Sequence, residues 1–122
     1  VDGSQKRDFL YITDLCDAFY KAAISKSKNE IFNLGSGKPQ SVMSLAKMIF
    51  NKYTYLPWRP GEPKKTHANI NKIQNQLKWF PKVSLKRGIK NVLKNIDWWN
   101  DAPLWTPSKI KKATKNWHKY LG

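Results

Sequence analysis

The cations of this chain are almost all lysines: of 23 Lys and Arg, only Arg7, Arg59 and Arg87 are arginines. An arginine presents a planar fork that grips two phosphate oxygens at once, which a lysine ammonium cannot do. Arg7 stands beside Asp8, directly ahead of the apolar run "FLYI". Arg59 opens a Pro-Gly loop, with Glu62 three residues on. These two arginines are the candidates for a phosphate site. Taken singly, each competes with the reading of an ordinary solvated surface cation.

Other chemistry finds less support. "GSGKPQ" (35–40) has a Gly-x-Gly after a predicted strand and before a predicted helix, where a phosphate loop would lie. It lacks the third glycine of the dinucleotide turn, so a tight strand-to-helix turn is the preferred reading. His67 and His118 are far apart and Cys16 is the sole cysteine, so no spacing resembles a zinc site. Neither histidine neighbours a Ser or Cys motif, and His118 reads as solvated on a Lys-rich helix. Cys16 reads as a small core residue in a reducing compartment.

The elements that must position these residues follow from periodicity. "FLYI" (9–12) reads as a strand, followed by a helix capped by Thr13 or Asp14 with Leu15, Ala18, Phe19, Ala22 and Ala23 on one face. "IFNL" (31–34) reads as a buried strand. Ser41 caps a helix carrying Val42, Leu45, Ala46, Ile49, Phe50 and Tyr53. "YTYLPW" (53–58) is β-rich but stopped by Pro57, and "RPGEPKKT" (59–66) is irregular. "HANI" (67–70) reads as a short strand, and Asn71 with Gln74 as a capping box for a helix with Ile73 and Leu77. Ser84 caps a helix with Leu85, Ile89, Val92, Leu93 and Ile96. Thr106 and Pro107 open a last one with Ile110, Ala113, Trp117 and Leu121 inside.

The chain has 122 residues and a net charge of +15. Such a charge raises a nucleic-acid-binding module that uses Lys with Trp and Tyr stacking. The Trp residues, however, fall mostly on or beside predicted apolar faces, as core residues do. A solvated Lys-rich surface is preferred, with no specific nucleic acid as partner. No apolar run approaches the ~18 residues that a membrane span needs, so no membrane partner is expected and the cytoplasm is the default. The start "VDGSQKRDFLYI" reads as the middle of a longer protein.

Three segments together resemble one family. "GSQKRDFLYITDLCDAF" is similar to G-x-Q-x-R-D-F-(V/L)-Y-V-x-D-(V/L)-x-x-A of extended short-chain dehydrogenases/reductases acting on nucleotide sugars. "IFNLGSGKPQSVMSLAKMI" resembles its (Y/F)-N-(V/L)-G-(S/T)-G-x-x-x-S-V-x-x-L. "RPGEPKKTHANINKIQNQLKWFPKVSLKRGI" resembles its R-x-G-(D/E) segment with the later L-x-W-x-P and L-x-x-G-(I/L). The matches run in the family's order over about residues 2 to 93. Asn69 stands where the family usually has Asp, and Lys86 and Arg87 stand where acids are common.

The resemblance implies an α/β fold: the helix-rich C-terminal lobe of an NAD(P)-binding Rossmann-type enzyme, with a few short strands and the Rossmann core largely absent. Residues 1–96 would be the substrate-binding lobe and 97–122 a C-terminal helical extension outside the family pattern. The nearest look is to the UDP-glucose 4-epimerase group, with a 4,6-dehydratase or decarboxylase of the same family as the alternative. In the family, the arginines matching Arg7 and Arg59 bind the nucleotide's phosphates, and the acid matching Glu62 binds the ribose hydroxyls. Asp8 either orients Arg7 or satisfies neighbouring backbone. The implied cofactor is NAD, bound by a missing N-terminal domain, because the Gly-rich turn and the Tyr-x-x-x-Lys pair do not occur here. The implied substrate is a nucleotide sugar, UDP-linked, in a homodimer when full-length. This stretch alone is expected to be inactive.

Overall fold

The computed structural model describes residues 2–57 and 60–121, with Leu121 described in its backbone only. Among these residues, six α-helices and a two-stranded sheet surround one small core. The result is a helix-rich partial α/β lobe, as the resemblance implies.

The sheet is the shortest possible. Strand β1 (Lys6–Arg7) runs antiparallel to β2 (Gln40–Ser41), with Lys6 opposite Ser41 and Arg7 opposite Gln40. On its other side Lys6 bridges Lys65 in parallel. Arg7 therefore lies within a strand rather than ahead of one. The predicted strand at 9–12 does not form: Ile12 already opens helix α1 (Ile12–Ile24). Residues 31–34 and 67–70 form no strand either. A strand needs a neighbour for its backbone N–H and C=O groups, and none of the described segments pairs with them.

The N-terminus of helix α1 lies ahead of its predicted caps, Thr13 or Asp14. Tyr11 is the N-cap, without a side-chain bond. Asp14 does not cap because its carboxylate is used elsewhere. It is buried and accepts from the backbone N–H of Lys82 at 3.0 Å and of Val83 at 2.9 Å. The buried stripe runs through Asp14 and Ala18, and Lys21 on the same side donates to Lys78 O at 2.8 Å. That stripe is rotated from the expected face, leaving Phe19, Ala22 and Ala23 exposed. Cys16 lies on the outward side too, so it is an exposed thiol and not a core residue.

The core joins α1 to α3 (Asn71–Leu77) through Ala18, Ile70, Ile73 and Trp79, with Leu10, Phe32, Leu34 and Leu77 packed around them. Trp79 is completely buried, and its indole N–H donates to Asp14 O at 3.0 Å. Burying a Trp removes roughly 150–250 Å² from water, on the order of 4–6 kcal/mol. Lys78 takes the left-handed conformation, φ 51°, to end α3 and aim Trp79 inward. The N-cap of α3 is Ile70, so the expected Asn71–Gln74 box is absent. Asn69 Oδ1 instead accepts from Asn71 N–H at 3.0 Å.

Local caps elsewhere are as predicted. Ser41 Oγ accepts from Ser44 N–H ahead of α2 (Val42–Ile49), and Ser84 Oγ from Arg87 N–H ahead of α4 (Leu85–Leu93). Helix α2 stops before Tyr53. Ile89 is buried in α4, but Val92, Leu93 and Ile96 stay exposed, the last in a 3-10 turn (Ile96–Trp99). Thr106 caps α5 (Pro107–Ala113), which breaks at Thr114, so the last predicted helix is two, ending in α6 (Lys115–Leu121). Residues 53–57 are irregular, and Trp58 lies outside the described residues, as does the Leu121 side chain. No helix among the described residues is long and apolar enough to cross a membrane.

The aromatic placement departs from expectation. Trp79 is core, but Trp98, Trp99, Trp105 and Trp117 are exposed, Trp98 by 89%. An apolar groove of about 340 Å³ also lies open between α2 and α4, lined by Tyr11, Leu45, Ile49 and Gly88 among others.

Candidate functional site

Strand β1 and the loop 60–66 form one unit. Lys6 N–H donates to Lys64 O at 2.9 Å, and Thr66 N–H donates back to Lys6 O at 3.1 Å. These bonds set the loop beside Arg7. Its Nη1 donates to Pro63 O and to Lys6 O, both at 2.9 Å. Its Nη2 meets Glu62 Oε1 at 3.4 Å. The two side chains are 23% and 16% exposed, so solvent screens the pair only in part. Two of the three sequence-predicted site residues, Arg7 and Glu62, thus come together across 55 positions. Arg59, the third, lies outside the described residues. Gly61, at φ 77°, supplies the left-handed turn that brings Glu62 round.

Asp8 points away from Arg7's bonds and into the turn at 35–37. Its Oδ1 accepts from Ser36 N–H at 2.7 Å and from the Ser36 hydroxyl. Its Oδ2 accepts from Ala68 N–H at 3.0 Å and Gly37 N–H at 3.3 Å. Of the two roles open to Asp8, satisfying backbone is the one the structure shows. Burial pushes its carboxyl up, but the Ser36 hydroxyl and the Ala68, Ser36 and Gly37 N–H groups outweigh that and hold it below the ordinary 3.8. The Gly-x-Gly turn is therefore a carboxylate cradle occupied by the chain's own acid, in keeping with the preference for a tight turn. Gly35 is required by contact: a Cβ there would stand 2.5 Å from Asp8 Oδ2 and 2.7 Å from Ala68 Cβ.

An open cleft of about 540 Å³ lies along this turn, lined by Ser36, Lys38, His67, Asn69 and Gln74 among others. His67 Nε2 sits 3.2 Å from Gly37 O, and His118 is exposed. Among the described residues, no group of His, Cys, Asp and Glu is placed to hold a metal ion.

Sequence reasoning missed Asp14 and Trp79, which lock residues 79–83 onto α1. It expected Trp117 on the inner face of the last helix but missed its contact with the loop, where the indole N–H donates to Pro60 O at 2.8 Å. The Trp-x-Pro spacing carried a signal for the first pair. Nothing in the sequence marked the last.

The sequence and the fold resemble those of known proteins. A family model described as "Epimerase: NAD dependent epimerase/dehydratase family" matches residues 1–35. The UDP-glucuronate 4-epimerase of Thermodesulfobacterium geofontis is 33% identical over 104 residues, covering 80% of this chain and 31% of that one. Two solved structures match in fold. The UDP-glucose 4-epimerase of Thermotoga maritima with UDP-glucose has a TM-score of 0.74 at 33% identity, covering 80% of this chain and 33% of that chain. The UDP-glucuronic acid 4-epimerase of Bacillus cereus, in complex with UDP-glucuronic acid and NAD, has a TM-score of 0.72 at 33% identity, with the same coverage. In sequence and fold the chain is similar to members of the NAD-dependent epimerase/dehydratase family. The chain spans about a third of the length of the curated relatives it matches.

Proposed function

We propose that this chain is the nucleotide-binding part of an NAD-dependent nucleotide-sugar epimerase, acting on a UDP-linked sugar. Arg7 and Arg59 would bind the pyrophosphate and Glu62 the ribose hydroxyls. The observation that carries this reading is the meeting of Arg7 and Glu62 on one strand-and-loop unit. A guanidinium fork beside a partly buried carboxylate suits a ligand with phosphate next to a diol. The nucleotide's remote contacts would position the sugar for chemistry completed elsewhere in the enzyme. Residues 1–96 form the binding lobe in this reading, and 97–122 an extension to it.

A dinucleotide site needs free backbone N–H groups at a Gly-rich turn. Here the Ser36 and Gly37 N–H groups already bind Asp8. Among the described residues this turn does not fit NAD, and its binding is assigned to none of them.

Titration with UDP tests the reading. Charge-assisted hydrogen bonds are worth ~1.5–3 kcal/mol each, so Arg59→Lys should weaken UDP roughly tenfold although the charge is kept. Glu62→Ala should weaken it as well. Equal dissociation constants in wild type and both variants would show that the grip does not exist.

A second reading has one observation in its favour. Exposed Trp98, Trp99 and Trp105 share the tail with lysines, the arrangement of a single-strand stacking surface. Binding of an oligonucleotide that discriminates between sequences at physiological salt would favour it. Association that disappears as salt rises is the nonspecific response of a +15 chain.

A further inference from the structure

The tail beyond residue 97 lies outside the family-like motifs, yet it reaches the loop that carries Glu62. Trp117 on α6 donates its indole N–H to Pro60 O at 2.8 Å, across 57 positions. Strand β1 ties the same loop from the other end: Arg7 holds Pro63 O, and Lys6 holds Lys64 and Thr66 by backbone bonds. Gly61, in its left-handed conformation, and Glu62 lie between the two sets of ties. A glycine is the most permissive joint in a chain, so a loop that turns on one keeps a fixed geometry only if both sides are held.

We propose that Trp117 is a positioning residue: α6 anchors Pro60, and Glu62 is thereby held beside Arg7 in the geometry that receives a ligand. A tie that exists before binding lowers the ordering cost that the ligand must meet. The ligand class, a uridine diphosphate-type nucleotide, rests on the reading above. The anchoring of the loop does not.

The test uses the full 122-residue chain, with amide hydrogen exchange followed residue by residue and UDP as the ligand. Trp117→Phe keeps a ring but removes the N–H donor. Exchange at Gly61 and Glu62 should rise roughly fivefold, the worth of one hydrogen bond, and the UDP dissociation constant by about threefold to tenfold. Amides of α1 and α3 and the thermal midpoint should not change. Trp105→Phe, in the same tail, should alter none of these. A chain ending at Thr114 lacks α6 and should reproduce the loop effect should Trp117→Phe disturb the helix itself. Unchanged loop exchange in Trp117→Phe overturns the proposal. So does a uniform rise over the whole chain, or faster loop exchange with an unaltered UDP dissociation constant. If wild type does not bind UDP, the nucleotide reading falls, and loop exchange alone decides the anchoring.

Discussion

Replacing Asp8 with asparagine leaves one oxygen where two now serve four donors. The remaining oxygen can still accept from Ser36. The new NH₂ must then stand in place of Oδ2, facing Ala68 N–H at 3.0 Å and Gly37 N–H at 3.3 Å, donor against donor. Two bonds to an ionised acceptor are lost, each worth ~1.5–3 kcal/mol in a buried setting. Asp8 is only partly buried and the Gly37 contact is long. Water can replace some of the loss, so the expected cost is about 2–4 kcal/mol. Urea unfolding at pH 7 should show a lower midpoint for Asp8→Asn at an unchanged m-value. The pH dependence adds a second check. The Asp8 carboxyl is held below its ordinary 3.8 in the folded chain. Its contribution is therefore complete above its unfolded value and is lost as pH falls through the lower folded value. The stability gap between wild type and Asp8→Asn should be constant near neutrality and close only in acid, below about pH 4. A gap under about 0.5 kcal/mol at pH 7, the size of an ordinary surface substitution, would refute the cradle. A gap that persists unchanged in acid would do so as well.

Gly35→Ala should cost about 1–3 kcal/mol in the same urea assay, because its Cβ meets Asp8 and Ala68 at 2.5 and 2.7 Å. Its cost should combine non-additively with Asp8→Asn, since the two changes share that contact. Trp79→Phe should destabilise by roughly 2–4 kcal/mol through lost volume and the lost hydrogen bond to the Asp14 carbonyl, read as a drop in thermal midpoint. Cys16 should react with a thiol reagent in native buffer at a rate within a few-fold of that in urea, since it is exposed on α1; strong native protection would contradict the observed rotation of that helix.

Most of what the sequence made legible is local. Ser41, Ser84 and Thr106 cap helices through bonds to backbone N–H groups three residues on, so each cap is complete within a short window. The composition of residues 31–34 predicts a strand, but strand formation depends on a partner that periodicity does not supply. Helix α1 shows a subtler failure. Its apolar residues form a broad band, and the part that faces the core is chosen by Asp14 bonding to Lys82 and Val83, a contact across 68 and 69 positions. An acid therefore sits in the buried stripe while Phe19 lies outside it. A similarly long stretch, 55 positions, separates Arg7 from Glu62. Only the family motifs join Arg7 and Glu62, because a lone arginine and a lone loop acid have no pattern that links them. Their meeting depends on Lys6 pairing with Lys64 and Thr66 through backbone alone, which leaves no mark on side-chain choice. The Trp117 contact is harder still. An indole N–H meeting a backbone carbonyl fixes the identity of one partner only, so the tail's link to the loop became visible only in three dimensions.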